Sequence, residues 1–297
     1  MSYDVIIVGG GFAGMSAALQ LARARRPILM VDAGQPRNRF AAASHGFLGQ
    51  DGAAPAAIMR EALRQLSAYS TVDFVHGRAA SATGELNRFE VTLEDGDVQT
   101  ARRLVLATGV ADTLPALPGL TERWGQSVMH CPYCHGYEVR DRRIGVLANH
   151  PMASHQALML PDWGPTTFFT QGVVALDAEL SAKLTARGVA VETTPVIEVM
   201  GEAPAISGVR LADGRITPLE AIFTAPKTAP ASDLAQQLGC ALEDGMTGPH
   251  VKLESGQQTT VPGVYSAGDT ASPMHNATLA SAAGVMAGIG AHQSLIF

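Results

Sequence analysis

The 297-residue sequence lacks the features that mark secreted, membrane and nucleic-acid-binding proteins. Three cysteines are too few for a disulfide-stapled secreted fold. Charged residues make up 16%, the formal net charge is −6, and no basic run offers a nucleic-acid surface. No cationic leader precedes the apolar N-terminal run, and consecutive glycines interrupt it, so neither a signal peptide nor a membrane span is expected. We predict a cytoplasmic globular protein that is long enough for two domains.

The N-terminal segment has the pattern of a dinucleotide-binding turn. Residues 4–9 are a β-branched run typical of a buried parallel strand, and glycines at 9, 11 and 14 follow in G-x-G-x-x-G spacing. Residues 15–24 have helical composition, and residues 28–32 predict a second strand that ends on Asp32. Such a turn lets a pyrophosphate approach the backbone at the helix N-terminus, where the dipole favours negative charge, while the acid binds the ribose.

Two later segments favour FAD over NAD as the bound dinucleotide. Residues 104–109 predict a strand that ends in Ala-Thr-Gly, and residues 260–269 predict a strand that ends in Gly-Asp before a long small-residue helix at 276–292. These motifs in this order resemble the flavoprotein disulfide reductases with two dinucleotide-binding domains. The stretch HCPYCHGYE at 130–138 narrows the resemblance to the thioredoxin reductase-like, low-molecular-weight branch.

The resemblance covers essentially the whole chain and implies its architecture. It implies an α/β fold with two Rossmann-like dinucleotide-binding domains, the second inserted in the first. The FAD-binding domain would comprise residues 1–114 and 245–297, and an NAD(P)-binding-like domain carrying the CxxC motif would comprise residues 115–244. A homodimer is also implied.

The resemblance also assigns residues to FAD. Gly268 and Asp269 would meet the ribityl–pyrophosphate region, and the start of the last helix would direct its N–H groups at the pyrimidine edge of the flavin. The family often has Arg-Gln-Ala at that helix start, so His275-Asn276-Ala277 implies different electronics here. The predicted cofactor-binding residues are Gly9, Gly11, Phe12, Ala13, Gly14, Asp32, Ala107, Thr108, Gly109, Gly268, Asp269, His275, Asn276 and Ala277.

The CxxC motif allows several chemistries when it is taken alone. C-x-x-C-H is also the pattern of a c-type haem attachment site, and a Cys pair flanked by histidines is a candidate metal site. Covalent haem normally belongs to exported proteins, and zinc needs about four ligands, for which the sequence shows no second Cys or His pair. We predict no metal and favour a redox-active disulfide beside a flavin, with two inert buried thiols as the remaining alternative.

The catalytic residues predicted from this motif are Cys131, Cys134 and His135. Two cysteines at a helix start lie within bonding reach, and the helix lowers the pKa of one thiol. In the family that the chain resembles, the second cysteine faces the flavin and the first exchanges with the substrate. His135 stands where thioredoxin reductases carry Asp, and an imidazole is a suitable base or acid for thiols. The other candidates, on weaker grounds, are His45, His130 and His275.

Residues 144–153 align with the second nucleotide fingerprint but lack its glycines. The small positions read Ala148, His150 and Ala153, and Pro151 removes an N–H donor from the phosphate cradle. Residues 169–172, PheThrGlnGly, offer neither an acid for NAD nor an arginine cluster for NADP. The sequence therefore predicts a nucleotide-binding-like domain that has lost its phosphate chemistry.

If electrons do not come from NADPH, the substrate is their simplest source. The chain resembles the FAD-dependent dithiol oxidases of the gliotoxin and holomycin type, which implies oxidation of small dithiols to disulfides, with electrons passing through FAD to O2 to form H2O2. An NADPH-dependent disulfide reductase with a thioredoxin-like protein as partner is the first alternative. The second is a non-catalytic flavoprotein that senses redox state or binds dithiols.

Overall fold

The computed structural model describes residues 2–297, which form strands, helices and short 3₁₀ turns. The strands are β1 (Ser2–Val8), β2 (Ile28–Asp32), β3 (Val72–His76), β4 (Ala79–Glu85), β5 (Arg88–Leu93), β6 (Val98–Leu106), β7 (Val110–Thr113), β8 (Val128–Met129), β9 (Ile144–Leu147), β10 (Thr166–Phe169), β11 (Ala190–Glu192), β12 (Val196–Met200), β13 (Gly208–Leu211), β14 (Ile216–Thr217), β15 (Ala221–Phe223), β16 (Lys227–Pro230), β17 (Leu242–Asp244), β18 (Pro249–Val251) and β19 (Val264–Ser266). The helices are α1 (Phe12–Arg23), α2 (Pro55–Leu66), α3 (Pro132–His135), α4 (Ala153–Met159), α5 (Ala178–Ala186), α6 (Leu234–Gln237) and α7 (Ala277–Gln293). Short 3₁₀ turns lie at Arg37–Phe40, Thr121–Arg123, Tyr137–Val139, Leu160–Asp162 and Asp269–Ala271.

The chain divides into two compact units. Unit 1 comprises Met1–Arg39, Pro55–Asp112 and Thr228–Phe297, and unit 2 comprises Phe40–Ala54 and Thr113–Lys227. Unit 1 is therefore discontinuous in sequence, and both segments of unit 2 are inserted within it. The α/β fold class expected from the sequence is confirmed.

Unit 1 is built on a sheet whose strand order is β3-β2-β1-β6-β5-β4, with β19 also pairing with β6. The pairs among β1, β2, β3, β6 and β19 are parallel, and β4 and β5 extend the sheet in antiparallel fashion. Side chains from successive positions of β1 enter different cores, since Ile7 packs with α1 and α7 whereas Ile6 packs on the opposite face. Because both faces are covered, β1 reads as a continuous apolar run.

The small residues of the last helix are explained by its contact with α1. A Cβ added at Gly284 would lie 2.1 Å from the carbonyl oxygen of Ala13, and one at Gly288 would lie 2.7 Å from that of Ala17. The two helices thus approach nearly backbone to backbone, which holds the N-terminal turn of α1 beside the strand ends.

The unit boundaries differ from the predicted domain boundaries in two places. Residues 228–244 belong to unit 1, because Leu234, Ala235 and Cys240 are buried in the core that β5 and β6 share. Residues 40–54 belong to unit 2, where Phe40 packs so closely on Gly125 that a Cβ at Gly125 would lie 2.6 Å from the Cβ of Phe40.

Unit 2 has its own parallel sheet, with strand order β11-β10-β9-β15-β8. An antiparallel sheet of β12, β13 and β14 adds a second core, in which Leu120, Val209 and Leu211 are buried. The strand–turn–helix arrangement expected around residues 144–153 is present as β9, a turn and α4. Across residues 2–297, no helix is both long enough and apolar enough to cross a membrane.

Candidate active site

The glycine turn between β1 and α1 is closed by two backbone approaches that admit no side chain. A Cβ at Gly14 would lie 1.8 Å from the carbonyl oxygen of Gly9, so the first turn of α1 rests directly on the end of β1. Gly9 has a φ of +104°, and a Cβ there would lie 2.3 Å from the carbonyl oxygen of Ala107. Glycine at these two positions is required by the fold itself.

Gly10 allows the close approach of Asp32, whereas Gly11 leaves open space in front of the turn. The amide of Gly10 donates to Asp32 Oδ1 at 2.9 Å, and a Cβ at Gly10 would collide with the Asp32 side chain. A Cβ at Gly11 would meet nothing within 4 Å. The turn is thus a cradle with open space over Gly11, bounded by the carboxylate at the end of β2.

The other predicted cofactor-binding segments lie at the same edge of the sheet. Parallel strands bring their carboxyl ends together, so residues 107–109 after β6 and 268–269 after β19 adjoin the glycine turn. Gly268 has a φ of +79°, and a Cβ there would lie 2.9 Å from the Cβ of Ala13. Thr108 donates through Oγ1 to Thr270 Oγ1 at 3.5 Å, which links the two segments. Phe12 begins α1.

Asp269 is held by an arginine that the sequence analysis did not single out. The guanidinium of Arg37 donates to both carboxylate oxygens of Asp112, at 2.9 and 2.6 Å, and to Asp269 Oδ2 at 3.1 Å. Burial by itself lowers the pKa of Arg37, but the two carboxylates outweigh it and the net pKa is raised. Arg37 therefore stays charged and fixes the orientation of Asp269.

The start of α7 combines a side-chain cap with a partly buried histidine. Asn276 is the N-cap, and its Oδ1 accepts from the amides of Thr278 at 2.8 Å and Leu279 at 3.3 Å, while Ala277 begins the helix. The cap thus satisfies two of the first N–H groups of the helix. Burial lowers the pKa of His275, which lies in the field of Asp269 and Arg37.

The CxxC motif forms a single helical turn in unit 2. Cys131 is the N-cap of α3 and Pro132 its first residue, and the amides of Cys134 and His135 donate to the carbonyl oxygen of Cys131 at 3.2 Å. The Sγ atoms of Cys131 and Cys134 are 2.7 Å apart, and both residues are partly exposed. The turn therefore places the two sulfurs side by side at a partly exposed position.

The helical turn is fixed from outside by an aromatic side chain. A Cβ at Gly136 would lie 2.9 Å from ring atoms of Trp163, whose ring also meets that of Tyr133 edge-on with centroids 5.8 Å apart. On the other side, Gln156 of α4 donates through Nε2 to the carbonyl oxygen of His130 at 2.8 Å. Trp163 and Gln156 thus hold the turn that carries the two cysteines.

His135 ends α3 and is partly buried. Burial is the main cause that lowers the pKa of His135 below its ordinary value, with Glu138 acting to raise it and His45 to lower it. At neutral pH the imidazole is therefore neutral and able to accept a proton. The structure brings the three predicted catalytic residues together on one turn, whereas the predicted cofactor-binding residues lie in unit 1.

Cys240, the third cysteine, lies apart from this motif. It is buried in the core of unit 1, and its Sγ donates to Thr259 Oγ1 at 3.3 Å. Burial raises the pKa of the Cys240 thiol, so it stays protonated. Within residues 2–297, no group of three or more His, Cys, Asp or Glu side chains is arranged to hold a metal ion.

Comparison with known families matches the chain over both units. The pyridine nucleotide-disulphide oxidoreductase family matches residues 3–149 and 171–286. The chain belongs to this family. This oxidoreductase is 33% identical over 305 residues to a protein named thioredoxin reductase tcpT of Claviceps purpurea, covering 99% of this chain and 94% of that protein. The predicted kinship with thioredoxin reductase-like enzymes is confirmed.

Two solved structures show the same fold at full length. A structure described as the oxidoreductase from Agrobacterium tumefaciens superposes with a TM-score of 0.96 at 53% identity, covering 100% of this chain and 99% of that one. The crystal structure of HlmI superposes with a TM-score of 0.92 at 36% identity, covering 99% and 93%. The oxidoreductase therefore has the two-domain architecture that the resemblance implied.

The thioredoxin reductase-like members of this family bind FAD, and FAD is also the cofactor of this oxidoreductase. The residues of unit 1 fit it. The open space over Gly11, at the N-terminus of a twelve-residue helix, suits a pyrophosphate, and the carboxylate of Asp32 beside it suits a ribose.

Proposed function

We propose that this oxidoreductase oxidises small dithiols to disulfides, with the electron pair passing through the Cys131–Cys134 pair and FAD to O2, which becomes H2O2. The observation that carries the proposal is that the turn after β9, where the family binds a nicotinamide nucleotide, lacks the glycines and free N–H groups that bind phosphate. The two cysteines of the CxxC motif, by contrast, are both present.

Three features of the β9 turn oppose phosphate binding. Pro151 has no N–H, and the amide of Met152 donates to the Nδ1 of its neighbour His150 at 3.2 Å. These positions correspond to Phe12 and Ala13 of the turn in unit 1. Asn149 donates its amide to the carbonyl oxygen of Ala225, and its Oδ1 is buried without a partner. A side chain thus stands at the position that Gly10 has in unit 1.

The end of β10 also lacks a ribose or 2′-phosphate site. Thr170 follows β10 at the place that Asp32 has after the same strand pair in unit 1, so no acid stands there. The side-chain amide of the next residue, Gln171, binds the backbone of Val196 at both ends. Nε2 donates to the Val196 carbonyl oxygen at 3.2 Å, and Oε1 accepts from the Val196 amide at 2.6 Å. Gln171 therefore holds β12 in place, and neither it nor Thr170 supplies an acid for a ribose or an arginine for a 2′-phosphate.

We assign unit 1 as the FAD domain and its strand ends as the FAD site. The turn at Gly9, Gly11 and Gly14 would hold the pyrophosphate and Asp32 the adenosine ribose, while Asp269, oriented by Arg37, would hold the ribityl chain. FAD, when bound, accepts the electron pair of the two reduced cysteines and transfers it to O2.

The thiol chemistry follows from the two cysteines and His135. His135 takes the proton of one substrate thiol, and the thiolate attacks Cys131 Sγ, so the Cys131–Cys134 bond breaks and Cys134 leaves as a thiolate. The second substrate thiolate then attacks the substrate sulfur of the mixed disulfide. Cys131 leaves, and the product disulfide forms. In sum, one dithiol and one O2 give one disulfide and one H2O2.

A turnover experiment with dithiothreitol tests the proposal. The holoenzyme is expected to consume one O2 and form one H2O2 for each oxidised dithiothreitol, and catalase is expected to return half of the oxygen. The Cys131→Ser variant serves as the control for uncatalysed oxidation. Dithiol oxidation no faster than in this control would reject the proposal.

A second candidate function is favoured by the relatives' names. The family name refers to pyridine nucleotides, and the relative from Claviceps purpurea is named a thioredoxin reductase. Under this alternative the enzyme would pass electrons from NADPH to a thioredoxin-like protein, and binding would have to avoid the β9 turn. A redox sensor would instead be reduced by dithiols without turnover.

The role of His135 predicts a change in the pH profile. Because burial lowers its pKa, His135 is a base at neutral pH and loses this role as the pH falls through that pKa. His135→Ala is expected to slow anaerobic flavin reduction by dithiothreitol about a hundredfold at pH 7 and to remove the acid-side inflection. His155→Ala, on the exposed side of α4, is the control. A parent-like profile from pH 6 to 9 would mean that His135 is not the base.

A further inference from the structure

Beside His135 lies a group of titratable side chains to which the thiol chemistry above gives no role. Glu138 lies on the 3₁₀ turn Tyr137–Val139 that directly follows α3, one helical turn beyond His135. Residues spaced in this way lie on the same side of a helical path. Glu138 and His45 are the charged and titratable groups whose fields act on His135.

His45 reaches this group from a closed loop of unit 2. The amide of Ser44 donates to the carbonyl oxygen of Ala53, and the amide of Gly52 donates to that of Ser44, both at 2.8 Å. Within the loop, the amide of Gly46 donates to Asp51 Oδ1 at 2.8 Å. These hydrogen bonds hold the loop closed and fix the backbone position of His45.

The imidazole of His45 stands between two carboxylates. Its Nε2 lies 3.6 Å from Glu138 Oε1, and its Nδ1 lies 3.7 Å from Asp51 Oδ1. The His45 side chain is 21% exposed, whereas that of Asp51 is 69% exposed. The order His135, Glu138, His45, Asp51 therefore runs from a partly buried imidazole to a carboxylate in solvent.

The thiol chemistry requires such a chain. Each turnover releases two thiol protons, and His135 can hold one of them at a time. After the first thiol is deprotonated, His135 must lose its proton before it can serve the second. A carboxylate that stabilises the imidazolium and a second imidazole that accepts its proton meet this need.

We propose that Glu138 and His45 are positioning residues for His135: Glu138 orients the imidazole and stabilises its protonated form, and His45 carries the proton onward to solvent beside Asp51. The proposal rests on the proposed dithiol oxidation. No bond other than N–H and O–H changes along this relay. The two thiol protons leave to solvent, and the formation of H2O2 takes up two protons from solvent.

The variant Glu138→Gln tests this chain, because it keeps the shape of the side chain and removes its charge. Without the carboxylate, burial acts on His135 alone, so the imidazole becomes a weaker base. We expect anaerobic flavin reduction by dithiothreitol to slow about tenfold at pH 7, with the acid-side inflection moved to lower pH. Glu138→Asp is expected to restore part of both. Glu202→Gln, an exposed charge change in the same unit, is the matched control.

A second readout does not depend on turnover. In the reduced holoenzyme, the rate at which iodoacetamide alkylates Cys131 is measured against pH by peptide mass spectrometry. The wild-type profile is expected to show the His135 inflection, displaced to lower pH in Glu138→Gln. Profiles in both assays that match Glu202→Gln overturn the proposal, as does a slower rate with an unmoved inflection. If the proposed dithiol oxidation itself is wrong, the wild-type turnover experiment shows this independently of the Glu138 variants.

Discussion

Replacing Cys134 with serine is expected to abolish reduction of the flavin by small dithiols while FAD stays bound. A serine hydroxyl cannot close a disulfide with Cys131, so a substrate thiolate finds no sulfur to displace. The two sulfurs lie 2.7 Å apart on one helical turn, and the predicted FAD-binding residues lie in unit 1, away from this substitution in the chain. The anaerobic rate with dithiothreitol, followed at the visible flavin band, is expected to fall at least about a thousandfold.

The third cysteine supplies the control. Cys240 is buried in the core of unit 1 with a raised thiol pKa, so Cys240→Ala should leave the rate of reduction within about twofold of wild type. Cys131→Ser is expected to lose reduction by dithiols as well, because it removes the sulfur that is attacked. A Cys134→Ser protein that dithiothreitol still bleaches at the parent rate would show that electrons bypass the CxxC pair.

An added methyl group is expected to lower folding stability at one glycine of the first turn and FAD affinity at another. At Gly14 the new Cβ would lie 1.8 Å from the carbonyl oxygen of Gly9, and backbone must move to admit it. Gly14→Ala is therefore expected to lower the free energy of unfolding by about 3 kcal/mol. At Gly11 the methyl meets nothing within 4 Å, and the φ of −76° suits alanine.

Gly11→Ala should therefore cost less than about 1 kcal/mol of stability. Its methyl group takes the space over the cradle, so FAD affinity is expected to fall at least about tenfold. Thermal unfolding with and without added FAD, together with the ratio of flavin to protein after purification, separates the two effects. Full FAD retention in Gly11→Ala would place the pyrophosphate elsewhere.

The parts of the fold that the sequence predicted were those with local signals. The β1–α1–β2 unit could be recognised because strand, glycines, helix and acid follow one another within 32 residues. The long helix expected at 276–292 from its run of small residues is observed at Ala277–Gln293, with Asn276 as its N-cap. The missing N–H donor at Pro151 was likewise visible, because proline removes a donor wherever it stands.

The rest depended on contacts between distant residues. Arg37 meets Asp112 and Asp269, which are 75 and 232 residues away, and nothing near Arg37 marks it as their partner. His45 was considered only as an isolated histidine, because its neighbour Glu138 comes from another part of the chain. The boundary near residue 228 was missed because α6 is short and joins a core formed by β5 and β6.

The direction of electron flow is the central claim, and one anaerobic experiment tests it most directly. The oxidised holoenzyme is mixed with NADPH, and separately with dithiothreitol, and the visible flavin band is followed before and after O2 is admitted. We predict that dithiothreitol bleaches the band and that O2 restores it with formation of H2O2, while NADPH leaves it unchanged. Bleaching by NADPH at a catalytic rate would contradict the account.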